Sequence, residues 1–145
     1  MRSVFFHLID VSRDKVAARL SAIATPTGSA RWNFPRGSNS PALYIGFYDD
    51  LLMEAEPADL EELTASLGAM PDVSVIGDVS GSVPGDAEVR ELAALMLTEF
   101  RGIARDDYTS HCWTLSEIQS GVKVKGHTFF DYDGWYRDRQ NRPVA

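Results

Sequence analysis

Two hydrophobic periods alternate along this chain, and few architectures accept that alternation. Val4 to Ile9 is β-branched or aromatic at most positions, which predicts a buried strand. Val16, Leu20 and Ile23 then recur at near-helical spacing, with Ser12 as N-cap and Asp14 in the first turn. Thr25-Pro26-Thr27-Gly28-Ser29 reads as the end of that helix. Residues 31–41 are rich in breakers, and the alternation of Trp32 and Phe34 allows an edge strand ending at Pro35. Ala42 to Tyr48 is a second strong strand. Pro57 opens a second helix, with Leu60, Leu63 and Leu67 on one side and Gly68 as terminator. Val73 to Val79 is a third strand. The clearest helix carries Val89, Leu92, Ala93, Met96, Phe100 and Ile103, with Gly102 as its stop and a short strand through Ile103-Ala104-Arg105.

This order predicts an α+β domain with α/β-like alternation, built as a two-layer sandwich. The expected sheet is mixed, of four to five strands, with helices mostly on one face. A ferredoxin-like arrangement is the first expectation. The helix between the second and third strands suits a right-handed crossover. The 145 residues have the length of a single domain, 1–145, with an aromatic-rich C-terminal extension over about 106–145.

Charge is distributed unevenly over this frame. Between Gly37 and Phe100 stand thirteen carboxylates and one cation, Arg90, a net of −12. Asp59, Glu61, Glu62, Asp86 and Glu88 fall at predicted helix starts, where the dipole favours anions. Asp49, Asp50, Glu54 and Glu56 have no such local reason. An acidic block of this kind steers a basic macromolecule, and the acidic balance argues against nucleic acid as a direct ligand. No apolar run approaches the ~20 residues that span a bilayer, so the expected partners include no membrane. Met1 to Asp10 lacks the pattern of a secretory signal, and the expected compartment is cytoplasmic. The lone Cys112 excludes an intramolecular disulfide.

Chemistry-bearing groups are sparse. Asp49, Asp78 and the pair Asp106-Asp107 fall at predicted strand ends, and together they suggest a divalent metal for phosphoryl-transfer or nuclease chemistry. Acids also punctuate strand ends for local reasons, which is the commoner case. His111 and Cys112 are sequence neighbours, so on a strand they face opposite ways, and Cys112 reads as a buried structural cysteine. His127 reads as a surface or hydrogen-bonding histidine, and His7 as a satisfied core histidine. Gly81 and Gly85 lack the Gly-Lys-Ser/Thr ending of a phosphate loop. No cofactor and no catalytic residue follows from this set.

The C-terminal third is more distinctive. Thr114 and Glu117 have capping-box spacing. Val122 and Val124 alternate with Lys123 and Lys125, as on an exposed strand. Aromatic side chains crowd the segment. Phe129 and Phe130 are expected partly in the core, whereas Tyr108, Trp113, Tyr132, Trp135 and Tyr136, with Asp133, are candidate partner contacts. The run Tyr108-Thr109-Ser110-His111-Cys112-Trp113-Thr114, then Glu117-Ile118, follows Asp78-Val79-Ser80-Gly81 and Pro84-Gly85-Asp86-Ala87-Glu88-Val89-Arg90. With these motifs the chain, from about Ala42 to Tyr136, resembles small immunity proteins of bacterial polymorphic-toxin systems. The resemblance implies a stoichiometric, non-enzymatic inhibitor that binds a cognate toxin in the cytoplasm. A nuclease toxin suits the acidic block, because a site built for phosphates accepts carboxylates. The contacts expected are Asp49, Asp50, Glu54 and Glu56 with the aromatic residues above. The competing expectation is a small metal-dependent enzyme using Asp49, Asp78, Asp106 and Asp107. A third is an assembly subunit that the acidic block keeps dispersed.

Overall fold

The computed structural model describes residues 2–81 and 83–140. Its elements are β1 (Ser3–Ile9), α1 (Arg13–Ile23), β2 (Thr25–Gly28), β3 (Arg31–Phe34), β4 (Leu43–Phe47), α2 (Leu51–Glu54), α3 (Pro57–Leu67), β5 (Val73–Val79), α4 (Asp86–Glu99), β6 (Arg101–Asp106), α5 (Leu115–Ser120) and α6 (Tyr132–Gln140). Among the described residues no helix is long and apolar enough to cross a membrane.

Local signals set most helix ends. The Ser12 hydroxyl accepts the Lys15 amide at 3.3 Å, and Thr114 with Glu117 forms a complete capping box at α5. Each such cap is worth about 1 kcal/mol. Pro57 occupies the first turn of α3, and Gly68 ends it with φ of +80°. That left-handed conformation favours glycine.

The sheet is α+β in character but departs from the expected form. It has six strands in the order β2-β3-β4-β5-β1-β6, and every pairing is antiparallel. It is therefore neither mixed nor limited to four or five strands. β4 and β5 are antiparallel neighbours, so no right-handed crossover joins them. The extra strand is β2, at the residues read as a helix end. Pro26 lacks an amide donor, and an edge strand tolerates that. β3 is consequently not an edge strand, because β2 lies beyond it.

Alternation along the strands divides the core. Val4, Phe6 and Leu8 of β1 face α1 and α4, whose Val16, Leu20, Val89, Leu92 and Met96 share one apolar cluster with them. Ile9 faces the other way and clusters with Ile103, Cys112, Leu63 and Leu67. Helix α3 thus lies on the second face of the sheet, beside Ile9 of β1 and Ile103 of β6, while α1 and α4 share the first face.

The last third of the chain is built into this frame. Trp113 bridges to Ala104 beside β6, and Trp113, Phe129 and Phe130 join the larger core. Helix α4 stops at Glu99, three residues before the expected Gly102. Gly102 instead sits in β6 against β1, where a Cβ would lie 2.4 Å from the His7 carbonyl oxygen. The alternation at Val122–Val124 yields only one bridge, between Val124 and His127. α6 was not signalled by periodicity.

Candidate functional site

The acidic loop begins where β4 ends. Tyr48 keeps one ladder-like bond, from its amide to the Ser74 carbonyl at 2.8 Å. Asp49 and Asp50 then leave the sheet. The Asp50 carbonyl accepts the Met53 and Glu54 amides, which closes the single turn of α2. Leu51 turns inward against the Ile9–Leu63 cluster. A one-turn helix cannot bury every side, so Leu52 and Met53 turn outward, 71% and 86% exposed. Glu56 and Pro57 then start α3.

The four acids of this loop differ in their engagement. Asp49 pairs with Arg13 at 2.8 Å on the open surface, and Arg13 also stacks over Phe47 at 4.0 Å. Exposed pairs of this kind are worth up to about 1 kcal/mol. Glu54 accepts the Tyr48 hydroxyl at 2.6 Å. Burial, with that bond second, pushes the Tyr48 phenol up to about 12. Asp50 and Glu56 make no side-chain cap. Their charges face solvent, beside Leu52 and Met53.

This loop borders the part of the sheet that α3 leaves bare. The register places Arg31, Tyr44, Gly46, Ile76 and Asp78 on one face across β3, β4 and β5. Tyr44 is half exposed there. Three cavities meet at the loop. One of about 330 Å³ lies between Arg13, Arg31, Tyr44, Asp49 and Asp78. One of about 230 Å³ lies between Phe5, His7, Tyr48, Glu54 and Arg105. A third, of about 470 Å³, runs under Leu52 and Met70.

His7 lines the second of these cavities. It is 2% exposed, and its Nδ1 is 2.7 Å from Ser74 Oγ on the neighbouring strand. It is the satisfied core histidine expected. Burial, then the Arg105 charge, lowers its pKa to about 4, so it is neutral at pH 7.

The aromatic candidates occupy the opposite end of the sheet. β1 and β4 end on one side, whereas β5 and β6 end on the other. Tyr108, just past β6, stacks on Trp135 at 5.9 Å, and Tyr132 stacks on Tyr136 at 5.8 Å. Arg2 lies over Tyr132 at 4.2 Å and is held by the Val83 carbonyl at 2.6 Å. These rings border a cavity of about 470 Å³. Burial raises the Tyr108 phenol above its ordinary range. Asp133 lies on the exposed face of α6. Trp113 is 1% exposed, packed on Phe129 and His111, and is unavailable to a partner. The acidic and aromatic candidates therefore do not form one surface.

The same strand directions divide the four aspartates of the metal reading. Asp49 follows the end of β4, whereas Asp78, Asp106 and Asp107 lie at the ends of β5 and β6; only Asp49 and Asp78 line a common cavity. Asp78 accepts the Ser3 hydroxyl and Asp107 the Ser3 amide, both at 2.6 Å. Asp106 is buried and accepts the amides of Tyr108, Thr109 and Phe130. Burial raises the Asp106 and Asp107 carboxyls, while their backbone donors act the other way. Among the described residues no group of three His, Cys, Asp or Glu side chains is placed to hold a metal.

The remaining candidates are structural. Cys112 is buried, which pushes its thiol up, and it packs beside Ile103 and Leu63. His111 contacts Glu117 at 3.1 Å. His127 is 7% exposed rather than on the surface; it contacts Asp131 and Asp138 and lies 4.3 Å from the Trp135 ring.

Sequence reading missed Phe5, Tyr44, Tyr48, Leu52, Met53 and Arg105. A signal for Tyr44 was present, because Leu43, Ile45 and Phe47 alternate with it and claim the buried face. Comparison with protein-family models, curated proteins and solved structures returns no match.

Proposed function

We propose that this protein is a stoichiometric inhibitor of the immunity-protein type, which captures a basic bacterial toxin at the acidic loop and the bare sheet face beside it. The observation that carries this reading is the exposure of Leu52 and Met53 inside the run Asp49, Asp50, Glu54 and Glu56. An apolar centre with a charged, solvent-exposed rim has the anatomy of a protein interface. The acids supply steering and register, and the apolar side chains supply residence time. A nuclease is the favoured toxin, because its phosphate-binding cations complement the loop. The motif likeness from Ala42 to Tyr136 points the same way, and with it the cytoplasm of the producing cell as the place of action.

A ferredoxin-like reading of the frame accompanies this proposal. It is supported by the order β4-β5-β1-β6, with α1 following β1 and α4 joining β5 to β6. On that reading β2-β3 and α2-α3 are additions that build the site. The metal-enzyme alternative has no comparable support.

The test is affinity for purified basic toxin candidates across ionic strength. The expected result is one-to-one binding whose association rate falls at least tenfold from low to physiological salt. Binding that ignores ionic strength, or none to any basic toxin, overturns the proposal.

A further inference from the structure

We infer that the cavity between the acidic loop and the bare sheet face seats one arginine side chain of the captured partner. The inference deepens the proposed capture of a basic protein and rests on that reading. Phe5, His7, Tyr48, Glu54, Asp59 and Arg105 wall the cavity. Its volume of about 230 Å³ is below the range of small-molecule pockets, about 300–1,000 Å³, and suits a single side chain.

The chemistry of the walls selects a planar cation. Phe5 and Tyr48 meet edge to face at 5.0 Å, and such rings attract a guanidinium. Glu54 supplies a carboxylate oriented by the Tyr48 hydroxyl. Arg105 is already opposed by Asp59 at 3.5 Å, so it leaves Glu54 uncompensated. His7 is an independent pointer. Its Nδ1 contacts Ser74, and its ring lines the cavity. In the tautomer whose Nδ1 donates to Ser74, the other ring nitrogen is an acceptor. A guanidinium has five donors in a fixed fork and can serve both the carboxylate and the imidazole, which a lysine ammonium does less well. The acidic loop then has two roles: Asp49, Asp50 and Glu56 attract the partner, and Glu54 fixes the arginine.

The test uses the full chain and three probes, the Nα-acetyl methylamides of arginine, lysine and glutamate, followed by NMR of the aromatic side chains. The arginine probe should shift the Phe5, His7 and Tyr48 ring signals together and saturably, more tightly than lysine. Glu54→Gln should weaken it about tenfold, the loss of one charge-assisted bond. Glu54 is exposed, so this variant retains the fold; Tyr48→Phe, which frees the Glu54 carboxylate, should weaken the probe less. Absence of saturable ring shifts with arginine, or equal shifts with glutamate, overturns the inference. A basic toxin bound with salt-sensitive affinity that Glu54→Gln leaves unchanged also overturns it, while the capture reading stands. An arginine probe that binds here, with no basic toxin captured, sinks the capture reading and leaves the cavity's preference intact.

Discussion

The Asp106 carboxylate accepts the Phe130 amide at 2.9 Å and so anchors a segment twenty-four residues further along the chain. Its other oxygen accepts the Tyr108 and Thr109 amides. Phe130 has φ of +52°, a conformation that costs a bulky residue about 1–3 kcal/mol. Full burial of its ring and the bond to Asp106 offset that cost.

Asp106→Asn therefore places an amide N–H₂ against at least one backbone donor. It should lower stability by about 1–3 kcal/mol and speed amide exchange around Phe130 and α6. Urea denaturation and hydrogen exchange check this. An unchanged midpoint with unchanged exchange would mean that core packing alone holds the segment.

The pH dependence follows from His7. Its pKa is lowered from 6.5 in the unfolded chain to about 4 in the fold. Between those values the unfolded chain binds the extra proton, so stability falls as pH drops from about 6.5 towards 4. The full loss is about 3 kcal/mol. Subtracting the profile of His7→Leu from that of the native chain removes the shared carboxylate titrations. The difference should vary across this window and be flat above pH 7.5; a difference constant from pH 7.5 to 4 contradicts it.

Leu52 and Met53 separate binding from folding. Leu52→Ser with Met53→Ser should change stability by no more than about 0.5 kcal/mol, because both side chains are already in water. The same pair should weaken toxin binding tenfold or more, mainly through a faster off-rate. Calorimetry of unfolding beside surface plasmon resonance reads both quantities. Unaltered dissociation would move the interface elsewhere on the molecule.

Two glycines in the sheet should behave differently. A Cβ at Gly102 meets the His7 carbonyl oxygen at 2.4 Å, which is backbone and cannot yield. Gly102→Ala should cost about 2–4 kcal/mol by forcing β6 from β1. At Gly46 the nearest atom is 3.8 Å away, so Gly46→Ala should fold normally. Thermal melting of the two variants makes the comparison, and equal melting temperatures would count against the β1–β6 register.

The elements legible from the sequence are those stabilised within a few residues. Ser12, Pro57, Gly68 and the Thr114–Glu117 box act through bonds or dihedral preferences inside one turn, and each was readable where it stands. The helical stripe from Val89 to Met96 likewise reports its own buried face. β2 was illegible because Thr25–Gly28 has no apolar alternation and becomes a strand only through its pairing with β3. α6 was illegible because Asp133, Gly134 and Trp135 are poor helix formers. Its attachment depends on the bond from the Tyr132 amide to Asp86, and its first turn on the bond from the Trp135 amide to the Asp131 carbonyl.

For the site, the amino-acid sequence by itself determined the charge of the loop, the identity of its acids and the buried alternation of β4. The tertiary structure alone decided what those acids stand beside. Strand direction put the Asp49–Glu56 loop at one end of the sheet and Tyr108, Tyr132 and Trp135 at the other, separating candidates that the sequence allowed to act together. The register of β1 with β5 brought Phe5 and His7 to Tyr48 and Glu54. The physical reason is range: capping and periodicity act within one turn of chain, whereas direction and register come from strand pairing between residues such as His7 and Ser74, sixty-seven positions apart.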